Sequence, residues 1–246
     1  MPFDLGLAAA LWVAVACFVA AFVRGYCGFG FAALTIAGAG LVTDPLPFVA
    51  VVVMADMVLT AGQLRSILPD IDWRRVGGMC AGAVVAVPIG VWAVTRMGED
   101  AARAAISLFI LAMCAVLASG WTLTRPQGVG AHAGVGVLSG LANGAAVGGL
   151  PVAAFFAAQP IPAATFRATV IVYFTLLDIW TLPNLAIAGR VTADTLLATA
   201  LALPVMALGV RLGSRRFLAA SPTGFRSFAI GLLAVLALIG LVRALA

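Results

Sequence analysis

The sequence predicts an all-α polytopic membrane protein made of two inverted repeats, each a broken re-entrant helix hairpin followed by three transmembrane helices. Three observations carry this prediction. Of 246 residues, 64% are hydrophobic and 9% charged, where a soluble domain carries about 25% charged residues, and mean hydropathy is +1.17. The apolar runs form two matching sets on either side of Arg125-Pro126-Gln127-Gly128. The loop arginines divide unevenly between two faces only when each half crosses the bilayer an odd number of times.

Composition also excludes several classes. The net charge of +5 comes from arginine alone, with no lysine, and on a membrane chain it sets orientation rather than marking a nucleic-acid partner. His132 stands alone, and Cys17, Cys27, Cys80 and Cys114 have no metal-ligand or CxxC spacing, so they read as small buried thiols. No Walker motif, Ser/His/Asp arrangement or HExxH is present. Neither an enzyme, a metal site nor a cofactor is expected. The N-terminus lacks a basic n-region and a cleavage site, so no removable signal peptide is expected.

In chain order, apolar segments fall at about 7–24, 28–42, 46–66, 74–96 and 101–122, then 131–143, 147–159, 163–187, 192–213 and 224–245. A span needs about 20 residues. The second, sixth and seventh are too short to cross alone and the first is marginal, which leaves six full spans and two helix-break-helix elements. The first break is Arg24-Gly25-Tyr26-Cys27-Gly28-Phe29-Gly30. Its glycines each cost a helix about 1 kcal/mol relative to alanine, and non-helical backbone at bilayer depth is tolerated only beside protein or a water-filled cavity.

The whole chain, 1–246, reads as one membrane domain, with repeat 1 at about 7–122 and repeat 2 at about 129–246. Arg24-Gly25 and Gly30 align with Asn143-Gly144 and Gly149. Pro45 and Pro47 answer Pro160 and Pro162, Asp56 answers Asp178, Pro88 answers Pro204, and Arg103 answers Arg226. With each break taken as a single crossing, the arginines split seven against six, which gives no bias. Taken as hairpins, Arg65, Arg74, Arg75, Arg125, Arg167, Arg211, Arg215, Arg216 and Arg226 share one side against Arg96, Arg103, Arg190 and Arg243. The hairpin reading satisfies the positive-inside rule and puts both termini outside the cytoplasm.

Inverted hairpins bring two tips toward the midplane, with second legs starting near Gly28–Gly30 and Val147–Gly149. Helix N-termini carry free N–H groups and about half a positive charge, and paired discontinuous helices of this kind form anion sites in transporters. The candidate substrate-binding residues are Arg24, Gly25, Cys27, Gly28, Gly30, Thr60, Asn143, Gly144, Gly148, Gly149 and Arg167. An intramembrane arginine needs a carboxylate or an anionic ligand. Asp56, Thr60 and Gln63 fall on one helix face at i, i+4 and i+7, and Asp178 sits mid-span near Thr175 and Thr181. The two aspartates read as proton-relay or counter-charge groups, or as structural partners of Arg24 or Arg167. Arg167 and Asp178 are three turns apart, about 16 Å, and cannot pair directly. Gly78, Gly82, Ala86 and Gly90 form a small-residue stripe for close helix packing. Asp70-Ile71-Asp72-Trp73-Arg74-Arg75 reads as a capped helix start.

These residues resemble the TauE/SafE family of membrane transporters, often called sulfite exporters. The match lies in the Gly-rich break, the proline turn and Asp72-Trp73-Arg74 of the first half. In the second half it lies in Gly136-Val137-Leu138-Ser139-Gly140-Leu141, Gly148-Gly149-Leu150-Pro151 and Phe166-Arg167-Ala168-Thr169. The chain departs from the family pattern at Arg24-Gly25-Tyr26-Cys27. The resemblance implies a bacterial inner-membrane, multi-pass transporter of sulfite, sulfonates or similar anions that uses no cofactor. The expected partners are a small anionic substrate and the lipid bilayer, with protons as coupling ion and a second copy in a homodimer left open. Other readings are a proton- or cation-coupled carrier centred on Asp56 and Asp178, and a non-transporting scaffold, which the cost of intramembrane charge disfavours.

Overall fold

The structure, a computed structural model, describes residues 2–125, 127–217, 231, 234, 235 and 237–242, and the regular secondary structure among them is helical throughout. The helices are α1 (Leu7–Cys27), α2 (Phe31–Ala39), α3 (Pro47–Ala61), α4 (Leu64–Ile67), α5 (Trp73–Thr95), α6 (Glu99–Ala118), α7 (Val129–Asn143), α8 (Gly149–Ala157), α9 (Ala163–Ile187) and α10 (Ala193–Phe217). Five of them, α1, α5, α6, α9 and α10, are long and apolar enough to cross a membrane. The last expected span, 224–245, is described only in part, and Arg226 and Arg243 lie outside the described residues.

The first break is shorter than its glycine content suggests. Helix α1 continues through Arg24-Gly25-Tyr26-Cys27 and stops only at Gly28-Phe29-Gly30. Its 21 residues can cross on their own, where the sequence made the first segment marginal. Gly28 and Gly30 have φ of +82° and +86°, a region costing other residues about 1–2 kcal/mol, and the Gly28 N–H closes α1 on Arg24 O at 2.8 Å. Helix α2 then returns along α1. Trp12 Nε1 donates to Gly38 O at 2.8 Å, and Gly30 lies beside Val23.

The second break has the same form. Helix α8 returns along α7, with Ser139 Oγ donating to Gly148 O at 2.8 Å and the His132 ring 5.2 Å from that of Phe155. Pro151 sits in the first turn of α8, where a missing N–H breaks no helical bond. The segment 46–66, expected as one span, is α3 followed by a short helical stretch to Asp70, bent by 68° at Gly62-Gln63. Gln63 therefore leaves the α3 face that carries Asp56 and Thr60. The start of α5 is capped as expected, with Asp72 Oδ1 accepting from Arg75 N at 3.1 Å.

Residue pairs fix helix directions. Helices α1, α3 and α10 run together: the Phe3 and Phe48 rings lie 5.2 Å apart where α1 and α3 begin. Phe3 N donates to Asp194 Oδ2 at the start of α10, and toward the far ends Arg24 meets Asp56 and Gly213 meets Phe22. Helices α5, α7 and α9 also run together. Gly78 lies beside His132 and Gly90 beside Leu141, while Asp72, Val84 and Thr95 bond in order to Thr169, Trp180 and Arg190. The two sets oppose each other, because Ile67, beyond α3, packs on Ala168 and Ile171 at the start of α9.

The most extensive helix contacts join α5 to α7 and α1 to α10, so each half's opening helix packs against the other half. Glycine permits this. Gly82, Gly90 and Gly136 face Ala133 O, Leu141 O and Met79 O so closely that no Cβ would fit. The expected stripe on α5 thus meets a second small-residue stripe, Gly136 and Gly140 on α7 and Gly144 just past its end.

Candidate functional site

Arg24 lies in the last turn of α1, 2% exposed. Its Nε donates to Asp56 Oδ1 at 2.6 Å and its Nη2 to Thr60 Oγ1 at 2.6 Å. The guanidinium carbon stands 6.0 Å from the Phe31 ring centroid. Two buried atoms of this pair, Arg24 Nη1 and Asp56 Oδ2, have no hydrogen-bond partner. The pairing follows from α1 and α3 running together, which brings the last turn of one level with the second half of the other.

Asn143, the last residue of α7, occupies the corresponding place in the second half. Its Nδ2 donates to Thr181 Oγ1 at 2.8 Å and, at a longer 3.4 Å, to Asp178 Oδ1, both on α9. Arg24 and Asp56 of the first cluster and Asn143 and Asp178 of the second line one cavity of about 40 Å³, with Thr60 and Thr181 behind them and outside the lining. Gly28 to Ala33 of the first break and Ala146, Gly149 and Leu150 of the second complete its wall, with Val52, Val53 and Phe174. The N-termini of α2 and α8 thus reach the same space, and neither has a side-chain cap. The helix dipole at both ends favours negative charge there.

The remaining candidates sort differently. Gly28 and Gly30 line the cavity, and a Cβ on Gly28 would meet Arg167 Cγ at 3.0 Å. Gly149 lines it too, with its would-be Cβ 3.2 Å from the Phe174 ring. Arg167 lies outside the lining and donates through Nη2 to Ser214 Oγ at 2.9 Å. Gly25, Gly144 and Gly148 are outside it as well. Gly25 is pressed on Val210 O of α10, Gly144 on Gly90 of α5, and Gly148 on Ser139 O within its own hairpin. The space their missing side chains leave is taken up by backbone packing. The Cys27 side chain lies outside the described residues. Phe29, Phe31 and Phe174 are lining residues that the sequence did not single out, since an aromatic in an apolar run looks like any core residue. Among the described residues, no group of three His, Cys, Asp or Glu side chains is placed to hold a metal.

The family model described as "Sulfite exporter TauE/SafE" matches residues 13–239. The chain belongs to the TauE/SafE family. It is similar to the "Probable sulfite/organosulfonate exporter TauE" of Cupriavidus necator, with 29% identity over 217 residues, covering 84% of this chain and 83% of the relative. No solved structure matches. As a TauE/SafE member the chain is a multi-pass membrane protein of a transporter family, and its cavity is a place to look for cargo. The TauE/SafE-like stretches Gly148-Gly149-Leu150-Pro151 and Phe166-Arg167-Ala168-Thr169 form the start of α8 and the first turns of α9.

Proposed function

We propose that this chain is a secondary transporter that exports a small sulfur-containing anion, sulfite or an organosulfonate, across the bacterial inner membrane, and that the cavity between the two helix breaks is its binding site. One observation carries the reading: a buried guanidinium faces the cavity beside the uncapped start of α2, with Nη1 unpartnered. A guanidinium offers a planar fork suited to two oxygens of a sulfonate or sulfite. The name of the Cupriavidus necator relative supports the substrate class. Gly30 and Gly149 leave room for a ligand to approach the backbone, and Asn143 adds a neutral donor, while Thr60, behind the lining, holds Arg24.

The opposed helix directions and the cross-packing of α1 on α10 and α7 on α5 support two inverted repeats around this site. Rocking one repeat against the other then gives alternating access. The arginines agree. Arg75, bonded to Gln159, and Arg167, bonded to Ser214, lie toward one end, while Arg190, bonded to Thr95, lies at the other. The end richer in arginine is the cytoplasmic one. Asp56 and Asp178 face the same cavity, where a carboxylate can serve coupling to protons. The chain transports without catalysing a reaction.

The test is thermal stabilisation of the purified protein by sulfite, sulfate, sulfoacetate, acetate and chloride, followed by calorimetric titration of the best anion. Arg24→Ala should weaken binding by roughly 2–5 kcal/mol if the contact is desolvated. Arg24→Lys keeps the charge without the fork and should fall between. A folded Arg24→Ala variant that binds as tightly as wild type would remove this site.

A further inference from the structure

The two carboxylates in the cavity are not equivalent. Asp56 contacts the guanidinium of Arg24 at 2.6 Å and shares it with Thr60. Asp178 meets only the neutral Asn143 amide, at 3.4 Å. One guanidinium between two ionised carboxylates leaves one negative charge in excess, in a small cavity walled by apolar side chains and backbone. Like charges sharing such a space repel strongly because little solvent screens them. A singly charged anion entering beside Arg24 would make the excess two. The helix N-termini of α2 and α8 offset part of that, but they carry only partial charge.

We propose that Asp178, and not Asp56, is the proton-carrying group of this cavity, and that a singly charged anion binds only when Asp178 is protonated, so that anion and proton move together. The inference rests on the cavity being the anion site. The proton adds to a carboxylate oxygen of Asp178 on the side to which the cavity is open, taking the side chain from −1 to 0. It leaves on the other side after the anion has departed, and the carboxylate is restored. Asp56 keeps its charge throughout as the counter-ion of Arg24.

The groups facing Asp178 are Asp56 from α3, Arg24 from α1 and Asn143 from α7. Helices α2 and α8 carry no titratable side chain. Cys80 of α5, His132 of α7, and Arg167 and Tyr173 of α9 all lie outside the cavity lining. Asn143 fits the role, since its amide can donate to a carboxylate and, through its oxygen, accept from a carboxylic acid. Thr181 holds it in place on the far side.

The probe is methanesulfonate, which carries one charge and does not titrate near neutrality. Its binding is measured calorimetrically in buffers of different ionisation heat, from roughly pH 6 to 9, which reports protons taken up per anion. Wild type should lose affinity as pH rises, approaching about tenfold per unit, with about one proton taken up per anion at the upper end. Asp178→Asn, which mimics the neutral form, should bind with pH-independent affinity and no proton uptake. Asp56→Asn also removes one of the two negative charges, so its proton uptake should fall as well, but it should lower the unfolding midpoint more than Asp178→Asn does, because Arg24 has lost its 2.6 Å partner. Wild-type binding that Arg24→Ala weakens but that is pH-independent, with no proton taken up, would overturn the coupling inference and leave the site standing. Proton uptake surviving in Asp178→Asn would overturn it too. No binding to wild type, or binding indifferent to Arg24→Ala, would overturn the site itself and this inference with it.

Discussion

Arg24, in the last turn of α1, and Asn143, the last residue of α7, each reach an aspartate and a threonine of their own half: Asp56 and Thr60 for Arg24, Asp178 and Thr181 for Asn143. The two clusters share a layout and differ in charge. That difference should appear in stability. Asp56→Ala strands a buried guanidinium and should cost about 3–5 kcal/mol, whereas Asn143→Ala removes neutral hydrogen bonds and should cost about 1–3 kcal/mol. Thermal unfolding of both variants in one detergent measures the order. A smaller loss for Asp56→Ala than for Asn143→Ala would mean the ion pair is hydrated in the folded protein.

Close packing of α5 on α7 predicts a sharp contrast among glycines of one helix. Gly82→Val would drive a side chain into Ala133 O, and the helices must separate, at a cost above about 3 kcal/mol. Gly77, one residue before the stripe, has nothing within 4 Å of a would-be Cβ. Gly77→Ala should therefore be neutral or stabilising by roughly 0.5–1 kcal/mol, the ordinary helix gain over glycine. Unfolding midpoints of the two variants decide it, and equal losses would show that α5 and α7 do not approach as described.

Much of this was legible because the bilayer makes polar residues conspicuous. Arg24, Asp56, Asn143 and Asp178 stand out in apolar runs, and the internal match paired them in the way the cavity arranges them. Glycine was harder to read. Gly25, Gly144 and Gly148 sit beside cavity residues in sequence, but glycine for ligand approach and glycine for helix approach look alike until the neighbouring helix is in place. The bend at Gly62-Gln63 was hidden for a related reason, since an apolar run of span length carries no mark of where its helix ends. The partner of Arg24 was open for want of helix directions: Asp56 is reachable only because α1 and α3 run together.

Those directions give a topological prediction. With the breaks as hairpins, the Gly98 and Gly189 loops emerge on one side, and Asp70 and Gly128 on the other. With the breaks as single crossings, Gly98 and Gly189 would be on opposite sides. Single cysteines introduced at these four positions, labelled with an impermeant thiol reagent in intact cells, distinguish the cases. Labelling of Gly98→Cys without Gly189→Cys would sink the hairpin arrangement. The exposed cysteines should be the Gly98 and Gly189 pair, because the opposite end gathers more arginine.

Two of the three cavity glycines, Gly30 and Gly149, should fail in different ways, which separates backbone conformation from space. Gly30 has φ of +86°, yet a Cβ there would meet nothing closer than Val23 at 3.5 Å. Gly30→Ala therefore strains the turn by about 1–2 kcal/mol without filling the cavity. It should lower the unfolding midpoint and leave anion affinity in the folded fraction within about twofold, a change of roughly 0.4 kcal/mol. Gly149 begins α8 in ordinary helical geometry, and its would-be Cβ lies 3.2 Å from the Phe174 ring. Gly149→Ala asks that ring to give by a few tenths of an ångström, while Gly149→Val pushes it into the space between the two clusters. Little stability should be lost in the alanine variant. The valine variant should lose anion binding by at least about tenfold, roughly 1.4 kcal/mol, because the room for the ligand is gone. Pairing Gly149→Val with Phe174→Ala should restore part of that affinity, since the smaller residue returns the volume. Calorimetric titration of the three Gly149 and Phe174 variants with the best-bound anion reads this directly. Full affinity in Gly149→Val would place the ligand elsewhere, whatever Arg24 contributes.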